Sequence, residues 1–352
     1  VTSIILCLIA AIAIFYFNIR GRIYESYTPE KKQEDSYSEV QGITNILLIG
    51  TDGRTLDEPS RSDSIIIATV DNNTKKVKLT SIIRDTIVNV PGYGEQKINA
   101  AFFLGAIESD ETENVDKDKD KDKDKDKDKE DKLKGAEGGA ALLMDTIEEN
   151  FNIYLDKYVI VNFWGFEDII DTIGGIEINI KDYEIDEINK YMGESTELTS
   201  PLIESPGLQT LNGEQALSYA RIRAVGNGGF ERAERQNAVI SEATKKLKTM
   251  NPLRYVKLAN TVANYVKTNI DIPFALNLAY TIYKMPSLNI EQLHTAQPEL
   301  IVRDYYYKDL GWSLLLDLEQ VSKIMYEFIF NDVTPNPETY DLDRVAQLAS
   351  EY

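Results

Sequence analysis

"SIIIATVDNNTKKVKLTSII", Ser64 to Ile83, decides the fold class. Two runs rich in β-branched residues flank the polar turn "NNTK", the pattern of two paired strands. "NILLIG", Asn45 to Gly50, is a third short apolar run, ending at a glycine turn. Helical spacing takes over in "KINAAFFLGAI" (Lys97 to Ile107) and "GGAALLMDTIEENF" (Gly138 to Phe151). "KYVIVNF" and "GIEINI" read as strands, with a helix between them around Trp164 to Thr172. "ALSYARI" reads as another strand, and helical spacing returns from Glu231 to Met250. This mixed order predicts an α/β fold: a mixed central β-sheet flanked by helices on both faces, an α/β/α sandwich.

The flanks read differently. Val1 to Phe17 carries no charge and is followed by Asn18 and Arg20 with no small-residue cleavage site. An N-terminal transmembrane helix over residues 1–19 is expected, rather than a cleaved signal. Residues 20–42 are polar and read as a stalk, and the folded domain is expected over 43–330. "DKDKDKDKDKDKDKEDK", Asp116 to Lys132, has nothing apolar to bury and sets like charges four apart. It predicts a disordered surface insertion over about 109–134. The segment after Asn251 reads as helical with a break at Pro273, and "DLEQVSKIMYEFIF" as a closing amphipathic helix. A loosely ordered tail over 331–352 is expected.

Composition limits the chemistry. The net charge of -20 argues against nucleic acid as a partner, which needs a basic footprint. Cys7 is the one cysteine and His294 the one histidine. Disulfides, thiolate zinc sites and a Ser-His-Asp triad are therefore not expected, and His294 is given no role. Arginine is clustered instead. Of 12 arginines none falls between Arg84 and Arg221, while Arg221, Arg223, Arg232 and Arg235 lie within fifteen residues. Guanidinium forks suit phosphate and carboxylate. Arg221 and Arg223, two apart, share a face if strand-borne; Arg232 and Gln236, four apart, share a face on a helix, with Arg235 adjacent. "GNGGFE" places a glycine loop before that helix, whose free N–H groups favour anions. Such a convergence fits a diphosphate. Upstream, Asp52 and Arg54, Arg61 and Asp63, and Arg84 and Asp85 fall at strand ends. Carboxylates beside arginines fit Mg²⁺ completed by phosphate oxygens, although Asp and Gly are also ordinary turn residues. No phosphate-loop run of the form G-x-x-x-x-G-K-[ST] occurs.

In order along the chain, "NILLIGTDGR", "RSDSIIIATVD", "SIIRDT", "KINAAF", "VNFWGFEDIIDTIGGIEINI", "QTLNGEQALSYARIR" and "FERAERQ" resemble the successive motifs of the LytR-CpsA-Psr family. The resemblance covers roughly residues 44–247. It implies a membrane-anchored extracytoplasmic phosphotransferase of a Gram-positive-type envelope, single-pass in the cell membrane. Such an enzyme moves an anionic glycopolymer, such as teichoic acid or capsule, from a polyprenyl-diphosphate carrier to peptidoglycan. The implied roles are Asp52 and Asp63 on Mg²⁺, and Arg61, Arg84, Arg221, Arg223, Arg232 and Gln236 on the diphosphate. Asp63 or Asp85 would act as base beside Arg84, and Arg235 matches the motif with a structural role open to it. Apolar helices would enclose the prenyl chain. The alternatives are a non-catalytic polyprenyl-phosphate-binding protein and a transcriptional attenuator. Two departures from the family's pattern stand out. Gly229 replaces an Asp three residues before Arg232, so a supporting acidic contact is either missing or moved to Glu231, and Ile83 replaces a Pro.

Overall fold

The β-branched runs do form the sheet. β1 (Ile43–Thr51), β2 (Ser62–Asp71) and β3 (Lys76–Ile82) make an antiparallel meander, with Ile65 opposite both Ile49 and Ile82. The computed structural model describes residues 16–27, 32, 40–56, 58–114, 135–193, 200–226, 229–285 and 289–351. Beyond β3 come a hairpin, β4 (Ile87–Val90) and β5 (Gly94–Lys97), and two helices, α1 (Ile98–Asn114) and α2 (Gly135–Phe151). β6 (Tyr158–Asn162) joins β1 in parallel and is followed by α3 (Phe163–Ile173). β7 (Ile176–Ile180), α4 (Ile185–Tyr191) and β8 (Gly207–Leu211) form a small side unit. α5 (Gly213–Arg221), α6 (Gly229–Thr249) and α7 (Pro252–Tyr265) lead to β9 (Val266–Thr268). α8 (Ile272–Lys284) then runs to β10 (Asn289–His294). A hairpin of β11 (Ile301–Tyr306) and β12 (Trp312–Leu316), with α9 (Leu318–Asn331) and α10 (Leu342–Glu351), completes the chain. The central sheet has the order β10-β3-β2-β1-β6-β9 and is mixed, with β10/β3 and β1/β6 parallel.

Period-two alternation sends neighbouring residues to opposite faces. Leu47, Ile49, Ile65 and Ile67 pack into the main core with Phe102 of α1 and Leu143 of α2. Leu48, Ile66, Val159 and Val161 face the other way, towards Phe166, Leu217 and Val239 of α3, α5 and α6. Helices therefore flank both faces. α1 and α2 touch through glycine. A Cβ on Gly105 would lie 2.3 Å from the carbonyl oxygen of Gly138, and one on Gly139 would lie 2.5 Å from that of Phe102.

Several elements differ from the sequence reading. "ALSYARI" is helical, within α5, because Asn212 and Gln215 form a capping box: Gln215 N–H donates to the Asn212 side chain at 3.0 Å, and Asn212 N–H to the Gln215 side chain at 3.1 Å. The helical run after Asn251 is split by β9, and Pro273 sits in the first turn of α8, whose N-cap is Asp271. The tail expected to be loose carries α10. Helical residues 16–23 lead into a bridge between Tyr24 and Thr268, where Glu25 N–H donates to the Thr268 carbonyl at 2.8 Å, so this part of the expected stalk is docked. Most of the expected span over 1–19, and residues 115–134 of the expected insertion, lie outside the described residues. No helix among the described residues is long and apolar enough to cross a membrane.

The glycine contact sets a test. Gly105→Ala forces a methyl group into backbone with no flexible neighbour to yield, an overpacking worth about 1–3 kcal/mol. Denaturant unfolding should show that loss, and a wild-type midpoint would refute the close approach.

Candidate functional site

The predicted residues converge at one end of the sheet. β1 ends and β2 begins there, with Thr51 paired to Ser62, so Asp52 and Asp63 become neighbours. β3 ends beside them and delivers Arg84 and Asp85. Arg221 is the last residue of α5, Arg223 follows its cap, and Arg232 and Gln236 project from α6. Arg221 and Arg223 thus do not share a strand face; helix termination brings both to the site.

Asp63 is the centre. Its Oδ1 accepts a hydrogen bond from Arg84 and lies 3.7 Å from Arg223 Nη2, while Oδ2 lies 3.3 Å from Arg232 Nη2. Burial alone would raise the Asp63 carboxyl, but Arg232, Arg84 and Arg223 outweigh it and hold it below the usual range. The arginines are not neutralised in return. Arg232 is 5 % exposed, and its buried Nε has no partner among the described residues. Burial, with Arg223 and Arg84 adding to it against Asp63, pushes Arg232 down to about 10, so it is still protonated at neutral pH. Burial and then Arg84 lower Arg223 too. Three guanidiniums around one carboxylate are an incomplete charge set that a multivalent anion would complete.

Partial desolvation of the Asp52 carboxyl, followed by the charge on Asp63, raises it. A nearby cation would relieve that repulsion, so the pair fits a hard divalent ion shared with phosphate oxygens. The described residues contain no cluster of three or more His, Cys, Asp or Glu side chains able to cage a metal by themselves. Asp85 contacts Lys97 Nζ at 2.9 Å and Arg84 Nε at 3.4 Å.

Two cavities meet here. A polar one of about 450 Å³ is lined by Asp63, Arg84, Asp85, Lys97, Arg223 and Trp312. An apolar one of about 170 Å³ runs between the sheet and α3, α5 and α6, with Arg221 among its lining residues. Arg232 and Gln236 line both. Arg221 lies 5.0 Å from the Phe163 ring and 5.5 Å from the Tyr191 ring. Arg61 is exposed and forms no ion pair among the described residues, so the structure does not bring it into this set. Arg235 is structural: it is buried against Glu184 at 2.8 Å and Glu231 at 2.7 Å. Glu231 is thereby committed to Arg235 and to the Tyr183 hydroxyl, and does not replace the carboxylate absent at Gly229. Lys97 and Trp312 were not singled out from sequence. Lys97 lies in the quoted "KINAAF" run, but Trp312 is far away in the chain and no local signal links it to the site.

Asp63→Asn leaves Arg232 buried without its counter-charge, a loss of about 3–5 kcal/mol of stability at neutral pH. Because the folded Asp63 carboxyl is lowered, its contribution is complete above the unfolded value, about pH 4, and fades as pH falls through the folded value. The stability gap between wild type and variant should narrow only in acid; a gap constant into acid unfolding would refute the pairing.

Comparisons with known proteins bear on the family and the fold. The LytR_cpsA_psr family model matches residues 13–320. The polyisoprenyl-teichoic acid–peptidoglycan teichoic acid transferase TagU of Enterococcus faecalis is 31% identical over 255 residues, covering 71% of this chain and 68% of that protein. The chain spans about two thirds of the length of such curated relatives, 66% for TagV of Bacillus subtilis. Among solved structures, TagT bound to LI-WTA superposes with a TM-score of 0.61 at 24% identity, over 86% of this chain and 99% of that one. TagT with bound octaprenyl pyrophosphate lipid gives 0.56 at 23%, over 88% and 97%. These two likenesses concern the fold. With the family model matched across most of its length, the chain belongs to the LytR_cpsA_psr family.

Proposed function

We propose that this protein transfers an anionic glycopolymer from a polyprenyl-diphosphate carrier to peptidoglycan. The observation that carries the reading is the meeting of the two cavities at Arg232 and Gln236. A polyprenyl diphosphate has the same division, an apolar chain joined to a multivalent anion. The first isoprene units of the chain would enter the apolar cavity of about 170 Å³ between sheet and helices, and the phosphates would meet the guanidiniums of Arg84, Arg221, Arg223 and Arg232. The relatives named as teichoic acid transferases and the lipid-bound relative support it.

In the proposed reaction an acceptor hydroxyl oxygen forms a bond to the phosphorus next to the glycan. The bond from that phosphorus to the bridging oxygen breaks, and polyprenyl phosphate leaves with the bond's electrons. The arginines balance charge that moves onto the phosphate oxygens, in a step that is mostly positioning and electrostatics. Asp63 is held ionised by its three arginines and is a poor proton acceptor. Asp85, lining the polar cavity beside Lys97, is the better placed of the two carboxylates to take the hydroxyl proton. Asp52 and Asp63 would hold Mg²⁺ against the diphosphate, and the ion would supply further charge neutralisation there. Membrane anchoring through residues 1–19, with the domain outside the cell, would place the site beside its lipid substrate. The net charge of -20 disfavours a DNA-binding regulator.

The test is transfer from a synthetic polyprenyl-diphosphate sugar to a peptidoglycan oligomer, with the phosphodiester product read by mass spectrometry. Arg223 is 41% exposed at its side chain, so Arg223→Ala should fold normally and lose about 10²–10³-fold in kcat/KM. Product that survives EDTA would refute the Mg²⁺ assignment. Retained lipid without product, across several donor sugars, would establish the lipid-binding alternative.

A further inference from the structure

The polar cavity continues past the arginines to a wall contributed by the C-terminal hairpin. Trp312 is two residues from Leu314 on β12 and shares its face. Leu314 is fully buried, its N–H donates to the Asp85 carbonyl at 3.0 Å, and it bridges Thr86. The hairpin is therefore fastened to the backbone directly after Arg84, and this fixes the indole, half-buried, at the cavity wall opposite α6. No hydrogen bond or ring contact engages the Trp312 side chain among the described residues. The same cavity is lined by the Asp85–Lys97 pair, a carboxylate acceptor and an ammonium donor.

We propose that this wall is a pyranose subsite: a sugar ring stacks its C–H face on Trp312 and hydrogen-bonds through its hydroxyls to Asp85 and Lys97. The proposal rests on the transferase reading and names the part of the site that reads the glycan. An indole offers a broad, electron-rich face, and the axial C–H bonds of a pyranose complement it. The apolar cavity suits the ring less well, because most of its lining is aliphatic or aromatic and most hydroxyls buried there would lack partners. The ring could belong to the donor, as the first sugar after the phosphate, or to the acceptor that supplies the hydroxyl. Both reach the same wall through the same chemistry.

Binding is measured first with two lipids, octaprenyl diphosphate and its N-acetylhexosamine conjugate. Trp164 is the other tryptophan of the chain, so the Trp164→Phe protein reports Trp312 emission alone. A donor ring predicts an emission change with the conjugate and none with the bare lipid. Trp312→Ala should then weaken the conjugate about tenfold, leave the bare lipid unchanged, and be partly rescued by Trp312→Tyr. An acceptor ring predicts unchanged binding of both lipids but a similar rise in the KM for the peptidoglycan oligomer. Trp312→Ala that weakens both lipids equally, or changes neither binding nor acceptor KM, overturns the subsite. A wild-type protein that fails to bind even the bare lipid overturns the transferase reading, and the subsite with it.

Discussion

One carboxylate facing three guanidiniums is the interaction on which the site depends. Among the described residues, Asp63 is the only acidic side chain that pairs with Arg84, Arg223 and Arg232 together. Without it these arginines would repel one another at short range inside a partly buried space, where water screens poorly. With it they are held together but left with excess positive charge. A surface ion pair adds little to stability, whereas a buried, incompletely balanced set is expensive unless a ligand completes it. The arrangement is therefore better understood as preparation for an anion than as a fold-stabilising bridge.

The sheet turns that charge set into a divided site. At the start of β2, Asp63 and Ile65 line the polar cavity while Ser64 and Ile66 line the apolar one. The same strand thus faces both halves of an amphipathic ligand, a direct result of its two-residue period. α6 closes the gap with Arg232 and Gln236, one helical turn apart, each bordering both spaces. Placement of α6 is in turn secured by Arg235, which is buried between Glu184 and Glu231 and contributes no charge to the cavity. Two arginines three residues apart on one helix so have different tasks, one set by the ligand space and the other by the packing.

Much of this was legible in the sequence because local pattern and tertiary structure agreed. The β1–β3 meander follows from alternating β-branched runs, and the helical spacing of α2, α6 and α9 matches the faces they bury. Asp52, Asp63, Arg84, Asp85, Arg221, Arg223, Arg232 and Gln236 were within reach together because the seven ordered motifs of the family resemblance carry them; Arg61, carried by the same motifs, is exposed and outside the set. Reading failed where tertiary context decided. The short run "ALSYARI" reads as a strand by itself, whereas the capping signal that makes it helical lies just before it at Asn212 and Gln215. Lys78, on which the sequence reading is silent, is 0 % exposed. It donates to the Phe328 carbonyl at 2.9 Å at the end of α9, and pairs with Asp332 at 3.1 Å. Nothing within β3 announces a helix terminus lying over it. Trp312 escaped for the same reason: only the hairpin's attachment behind Asp85 brings it to the site.

The overall charge sharpens the role of these contacts. A chain of net charge -20 does not draw a polyanion to its surface in general. Screening limits such repulsion to about 8–10 Å at ordinary salt, so a short-range pocket of arginines can still prevail locally. Attraction is then confined to the atoms that reach Arg84, Arg223 and Arg232, and the rest of an anionic polymer gains nothing by lying along the protein. Binding strength would depend on the phosphates and the apolar chain, which every polyprenyl-diphosphate donor shares. On the transferase reading, discrimination among glycans falls to groups other than the phosphate-binding arginines, and Trp312, Asp85, Lys97, Ser81 and Gln236 are the side chains in the polar cavity able to stack on or hydrogen-bond a sugar.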